Sequence, residues 1–135
     1  MNTAPPSQAQ PLNSLSLIIP VYNEAGRVQA LLEALARVPW PSSLQHIEYL
    51  LVDDGSTDHT DEVACELARR YPQVRHTRNA VRLGHVAAAT IGTQIAAGDV
   101  VFVQDRPAPI SVGDLRRLWN RQSTANQASL SETAR

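Results

Sequence analysis

Ile47-Glu48-Tyr49-Leu50-Leu51-Val52-Asp53-Asp54-Gly55-Ser56 is an apolar run that ends abruptly in two carboxylates, a glycine and a hydroxyl. Its first six residues read as a strand and its last four as the turn that closes it. Upstream, residues 15–21 are almost continuously apolar, the mark of a strand covered on both faces. Between the two, Val28, Leu31, Leu32 and Leu35 recur at the i, i+3, i+4, i+7 spacing of one helical stripe, and Pro39-Trp40-Pro41 breaks it. Downstream, residues 58–70 read as a helix, with Val63, Leu67 and the following Tyr71 at fourfold spacing and Pro72 ending it. Residues 74–77 read as a third strand, residues 83–97 as an Ala-rich helix stopped by Gly98, and Val100–Val103 as a fourth strand. Leu115, Leu118 and Trp119 mark a last helix. Strands alternating with helices through short connections predict an α/β fold: a three-layer parallel sheet with right-handed crossovers, in the order 3-2-1-4.

The chain has 135 residues, room for one domain. Residues 1–13 are rich in Pro and Gln, and residues 122–135 are mostly small and polar. Both predict disordered tails, too poor in apolar groups to offset the entropy of ordering, around a folded domain at 14–121. With 12 basic against 13 acidic side chains the net charge is −1, which speaks against general nucleic-acid binding. Every basic residue is Arg, so the P-loop lysine and Schiff-base chemistry are excluded. The single cysteine, Cys65, excludes an internal disulfide and a Cys-based zinc cage, and suits a reducing, cytoplasmic setting. The N-terminus lacks the basic and apolar regions of a secretory signal, and no run reaches the ~20 apolar residues of a membrane span.

In an open parallel sheet, ligands bind beyond the carboxyl ends of the strands. Tyr22-Asn23-Glu24 follows the first strand and Asp53-Asp54 the second. Arg78-Asn79 and Arg82-Leu83-Gly84-His85 follow the third, and Gln104-Asp105-Arg106 the fourth. Carboxylates, amides and guanidinium groups therefore converge on one rim. No G-x-G-x-x-G, Walker A or G-x-S-x-G motif is present, and the four histidines lie apart, as surface or loop residues do. From the residues alone, Tyr22 could as well cap the sheet, Asp54 cap the next helix and Arg82 be solvated surface.

Residues 17–24 (LIIPVYNE) followed by residues 51–58 (LVDDGSTD) resemble the opening of a family 2 glycosyltransferase of the GT-A fold. The blocks at 82–89 (RLGHVAAA) and 98–105 (GDVVFVQD) are similar to its polyprenyl-phosphate mannosyltransferase branch, which includes dolichyl-phosphate mannose synthases. The resemblance implies the N-terminal, Rossmann-like, nucleotide-binding half of that fold and a nucleotide-diphosphate sugar as donor. It puts Pro20, Tyr22 and Glu24 in the nucleotide pocket, Asp53 on the base, Asp54 with Gly55 and Ser56 in the turn, and Arg82 opposite the phosphates.

The pattern departs from the family after the fourth strand. The family's Asp-x-Asp, which holds Mg²⁺ or Mn²⁺, reads Asp105-Arg106-Pro107 here. Asp105 is then the one candidate metal ligand, with substrate phosphates and water completing a weak site. The family domain also continues for about a hundred residues more, so the resemblance implies a truncated domain without its acceptor half. No catalytic residue is assigned. Two readings follow: a transferase moving a hexosyl group to a lipid-phosphate or glycan acceptor, weak or inactive alone, or a catalytically silent nucleotide-binding or protein-interaction module. Either leaves a strand edge for a protein partner or self-association to cover.

Overall fold

The computed structural model describes residues 12–104 and 112–125. Strands and helices alternate as β1 (Ser14–Val21), α1 (Ala25–Leu35), β2 (His46–Asp53), α2 (Thr60–Arg70), β3 (Val74–Arg78), α3 (His85–Ile95), β4 (Val100–Val103) and α4 (Val112–Ala125). All pairings are parallel, in the order β3-β2-β1-β4 that the crossover rule predicts. Register aligns the functional ends: Val21 lies opposite Asp53, and Asp53 opposite Arg78.

Central β1 is buried along nearly its whole length, which is why its sequence reads as an unbroken apolar run. Its side chains alternate between two cores. Leu15, Leu17, Ile19 and Val21 join Val28, Leu32 and Leu35 of α1, Leu67 of α2, and Leu115 and Trp119 of α4. Ile18 faces the other way, with Leu50, Val52 and Ala88 of α3. Three layers result, the larger core lying on the α1/α2/α4 side. Helix α2 carries Asp61 and Glu62 in its first turn and Arg69 and Arg70 in its last, charges that complement the helix dipole at both ends.

Several expected boundaries move. Helix α2 begins at Thr60 rather than at residue 58, because Asp58 Oδ1 instead accepts from the Thr60 amide (2.8 Å) ahead of the helix. Helix α3 ends at Ile95, with Ala96 already extended, two residues before the expected stop at Gly98. Helix α4 continues to Ala125, and Leu12 and Asn13 are also tied down. Leu12 packs on the larger core, and the Asn13 carbonyl accepts from Gln45 N (2.8 Å). The folded unit thus exceeds 14–121 at both ends; residues 1–11 and 126–135 of the expected tails lie outside the described residues.

At the amino end of the sheet a half-buried carboxylate holds the α3–β4 turn. Glu48 Oε2 accepts from Ala97 N (2.7 Å) and the Ser16 hydroxyl (2.5 Å), and Oε1 accepts from Arg75 Nη1 (2.7 Å). Burial pushes the Glu48 carboxyl up, but the Ala97 amide, the Ser16 hydroxyl and Arg75 together outweigh it and hold it below its ordinary value. A depressed folded-state pKa stabilises the fold above the unfolded value, and that contribution disappears as pH falls through the folded one. Glu48→Gln is therefore expected to cost about 1.5–3 kcal/mol at neutral pH. The gap from wild type should close in acid, as thermal unfolding across pH will read; a gap independent of pH would contradict it.

Candidate functional site

The loops after β1 and β2 interlock through side chains whose types the motifs specify. Asn23 adopts a left-handed backbone (φ 51°), a conformation that Asn tolerates better than most residues. From there its Oδ1 accepts from Thr57 N (2.9 Å) and Asp58 N (3.3 Å), while its own amide donates to Ser56 Oγ (2.9 Å). Glu24 N donates to Thr60 Oγ1 (2.8 Å), and Glu24 Oε1 accepts from Tyr22 N (3.2 Å). Glu24 also pairs with Arg27 one turn along α1. Asn23 received no role in the sequence reading; its position between two strand ends was the signal.

The adjacent aspartates do different work. Asp53 continues β2 and is wholly buried; its Oδ1 accepts from Ser56 N (3.0 Å), closing the turn, and Arg78 Nε lies 3.5 Å from Oδ2. Asp54 points to the opposite side and gathers the loop before α3. Its Oδ1 accepts from Asn79 Nδ2 and Leu83 N (2.9 Å each) and its Oδ2 from Gly84 N (2.9 Å). Burial raises the Asp54 pKa, but the Leu83, Asn79 and Gly84 donors and the Arg82 charge outweigh that and keep the carboxyl below its ordinary value. It is held as an anion at the α3 N-terminus, where the helix dipole favours negative charge.

The clamp fixes Arg82, whose guanidinium carbon lies 3.8 Å from the centroid of the Tyr22 ring. Together these groups border an open crevice of about 350 Å³ beyond the carboxyl ends of β1, β2 and β4. Its apolar wall includes Ile19, Val28 and Leu31; its polar rim is Tyr22, Glu24, Arg27, Asp54, Arg82, His85 and Gln104.

Five of the seven expected site residues line this crevice: Pro20, Tyr22, Glu24, Asp54 and Arg82. Asp53, expected on the base, is not among the lining residues and closes the turn at Ser56, whereas Asp54, expected in the turn, borders the crevice. Residues 49, 51 and 53 share one face of β2, which directs Asp53 toward α2, so the next residue turns toward α3. Asp105, with Arg106 and Pro107, lies outside the described residues. Arg27 joins the rim although the sequence did not single it out, and His85, exposed at the start of α3 as expected of a surface histidine, also borders it. The two crevice carboxylates of the described residues are engaged, Asp54 by three donors and Glu24 by Tyr22 N and Arg27. They do not fit a metal centre.

A parallel α/β sheet with a polar crevice where strand order reverses, between β1 and β4, is the architecture of a Rossmann-like nucleotide-binding domain. Residues 16–128 match the model for Glycosyl transferase family 2, and the chain belongs to that family. It is 38% identical over 93 residues to the dolichol-phosphate mannosyltransferase of Pyrococcus furiosus, a match spanning 67% of this chain and 25% of that protein. It is 29% identical over 123 residues to the dolichyl-phosphate beta-glucosyltransferase ALG5A of Trichomonas vaginalis, spanning 84% of this chain and 38% of that one. Its fold is that of GT-A glycosyltransferases. It superposes on the mannosyltransferase PcManGT from Pyrobaculum calidifontis, solved in complex with GDP-Man and Mn²⁺, with a TM-score of 0.60 at 23% identity, covering 93% of this chain and 34% of that one. The chain thus spans well under half the length of these relatives. Among the described residues, no helix is long and apolar enough to cross a membrane.

Proposed function

We propose that this chain carries the nucleotide-sugar-binding half of a hexosyltransferase, with the donor in the crevice bordered by Tyr22, Glu24, Asp54 and Arg82. The observation that carries this reading is the Asp54 clamp: a buried anion spends three hydrogen bonds on presenting one arginine at the crevice mouth. Arg82 then meets the diphosphate with charge-assisted hydrogen bonds, and the α3 N-terminus adds its dipole. The apolar wall of Ile19, Val28 and Leu31 excludes water behind the base and sugar. The acceptor is a lipid phosphate or a glycan, and the reaction moves the hexosyl group from donor to acceptor with loss of the nucleoside diphosphate.

A second reading, a nucleotide-binding module without turnover, is favoured by one sequence feature: Asp105-Arg106-Pro107 supplies a single carboxylate where the family places two. Losing one preorganised electrostatic group costs about 10²–10³ in rate. Mg²⁺ or Mn²⁺ would then reach the diphosphate through Asp105 alone, with phosphates and water as its other ligands.

Calorimetric titration with UDP and GDP, each with and without Mn²⁺, tests the shared part of both readings. Binding of either nucleotide is expected, with only a modest gain from Mn²⁺. Arg82→Ala should weaken it at least tenfold, the equivalent of about 1.4 kcal/mol, by removing a charge-assisted contact. Absence of binding by the wild-type chain, or an unchanged affinity in Arg82→Ala, would overturn the assignment of the crevice. Transfer of sugar from a bound donor to a polyprenyl phosphate would separate the transferase from the silent module.

A further inference from the structure

A second cluster of chemistry-bearing side chains lies on the far side of β3, away from the crevice. Asp61 and Cys65 are four residues apart in α2 and so share one face of that helix. His76, in β3, alternates with Arg75 and Thr77 and lies on the same side as core residue Val74, toward α2. One ligand atom from each of Asp61, Cys65 and His76 falls within 4.8 Å of the others. Cys65 Sγ is 3.6 Å from His76 Nδ1, and Asp61 Oδ1 is 3.0 Å from His76 Nε2.

We propose that Asp61, Cys65 and His76 form a binding site for a divalent transition metal of the Zn²⁺ class. Three observations converge on it. Asp61 Oδ1 and His76 Nε2 are shielded from water and neither makes a hydrogen bond, although they are 3.0 Å apart. The contact lacks the alignment of an N–H···O bond, and buried polar atoms left so are rare and costly. The second observation is spacing. Zn–S and Zn–N bonds of about 2.3 and 2.0–2.1 Å in a tetrahedron put sulfur and nitrogen about 3.5 Å apart, close to the observed Cys65–His76 separation. The third is donor chemistry. Thiolate, imidazole and carboxylate select Zn²⁺ and its neighbours over the oxygen-seeking Mg²⁺ and Ca²⁺. Three protein ligands leave a fourth position for water.

The imidazole shows one nitrogen to each neighbour, so closure around an ion needs a rotamer adjustment within the 4.8 Å span. Arg78 borders the site, with its Nε 3.8 Å from Asp61 Oδ1 and 3.5 Å from Asp53 Oδ2. When Asp61 turns to the metal, Arg78 remains with Asp53 and the Ser56 carbonyl, to which its Nη2 donates (3.1 Å). None of the three ligands lines the crevice, so the inference stands independently of the nucleotide reading.

The metal-free full chain, titrated with Co²⁺, tests this directly. Because Cys65 is the chain's single cysteine, a thiolate-to-cobalt charge-transfer band reports on this site alone. A one-to-one complex with that band and four-coordinate ligand-field absorption is expected, and Zn²⁺ should displace the Co²⁺. Cys65→Ser should abolish the band, and His76→Ala should weaken Co²⁺ binding at least tenfold. On the wild-type chain, with no variant needed, Zn²⁺ should slow alkylation of Cys65 and raise the unfolding temperature. No charge-transfer band, or alkylation indifferent to Zn²⁺, would overturn the proposal and leave a metal-free Cys–His–Asp cluster. An equal Zn²⁺ effect on the unfolding temperature of Cys65→Ser would overturn it as well.

Discussion

Alanine at position 54 is expected to abolish measurable nucleoside diphosphate binding and to lower stability by about 3–5 kcal/mol. Asp54 is 3% exposed and accepts from Asn79, Leu83 and Gly84, so its removal strands three donors at once. Hydrogen bonds to a charged acceptor contribute about 1.5–3 kcal/mol each, and three on one carboxylate do not add in full. The Arg82-Leu83-Gly84 segment loses its anchor, and the guanidinium leaves the face of Tyr22. Asp53→Ala is also destabilising, since it opens the turn at Ser56 and deprives Arg78 of a partner. Its effect on affinity should be the smaller of the two, because Asp53 lies beneath the turn and not on the crevice. Calorimetry with UDP and GDP, at a temperature where both variants remain folded, ranks them. A larger affinity loss from Asp53→Ala would restore the base-reading role that the family resemblance assigned to it.

The same pair of residues shows what the sequence could and could not convey. That residues 47–52 form a strand, and that it stops at two carboxylates, follows from side-chain type alone. Even the strand order was accessible, because right-handed crossovers leave few arrangements of four parallel strands. Which aspartate borders the crevice was not. Adjacent strand residues must point to opposite faces, but only the packing decides that α2 covers the Asp53 side and α3 the Asp54 side.

Helix ends were misplaced for a related reason. Gly98 carries the composition of a stop signal, yet backbone geometry already turns extended at Ala96. Helix α4 outlasts its apolar stripe, because Trp119 and Leu115 hold it to the core while the polar residues that follow stay helical. The Asp61–Cys65–His76 cluster is invisible in linear spacing, since the turn between α2 and β3 folds fifteen residues of separation into contact distance.

Gly55→Ala is the second substitution with a large expected effect, at least about 3 kcal/mol of stability, together with loss of nucleotide binding. Two costs combine at this position. Gly55 has φ +75°, where an L side chain is disfavoured by about 1–2 kcal/mol. A Cβ there would also lie 2.6 Å from both Arg82 N and the Val81 carbonyl carbon. Those atoms are backbone and cannot rotate away, so the loop carrying Arg82 must shift. Asp54 resists that shift, because its three hydrogen bonds fix the same loop from the other side. Gly84 provides the control. It too has positive φ (+107°), but nothing lies within 4 Å of an added Cβ, so Gly84→Ala should show the conformational cost alone. Chemical denaturation of the two variants separates strain from overlap, and nucleotide titration shows whether the displaced loop takes Arg82 with it. Equal destabilisation by the two alanines would mean that close approach of Gly55 to the Val81–Arg82 backbone is not what seats the arginine.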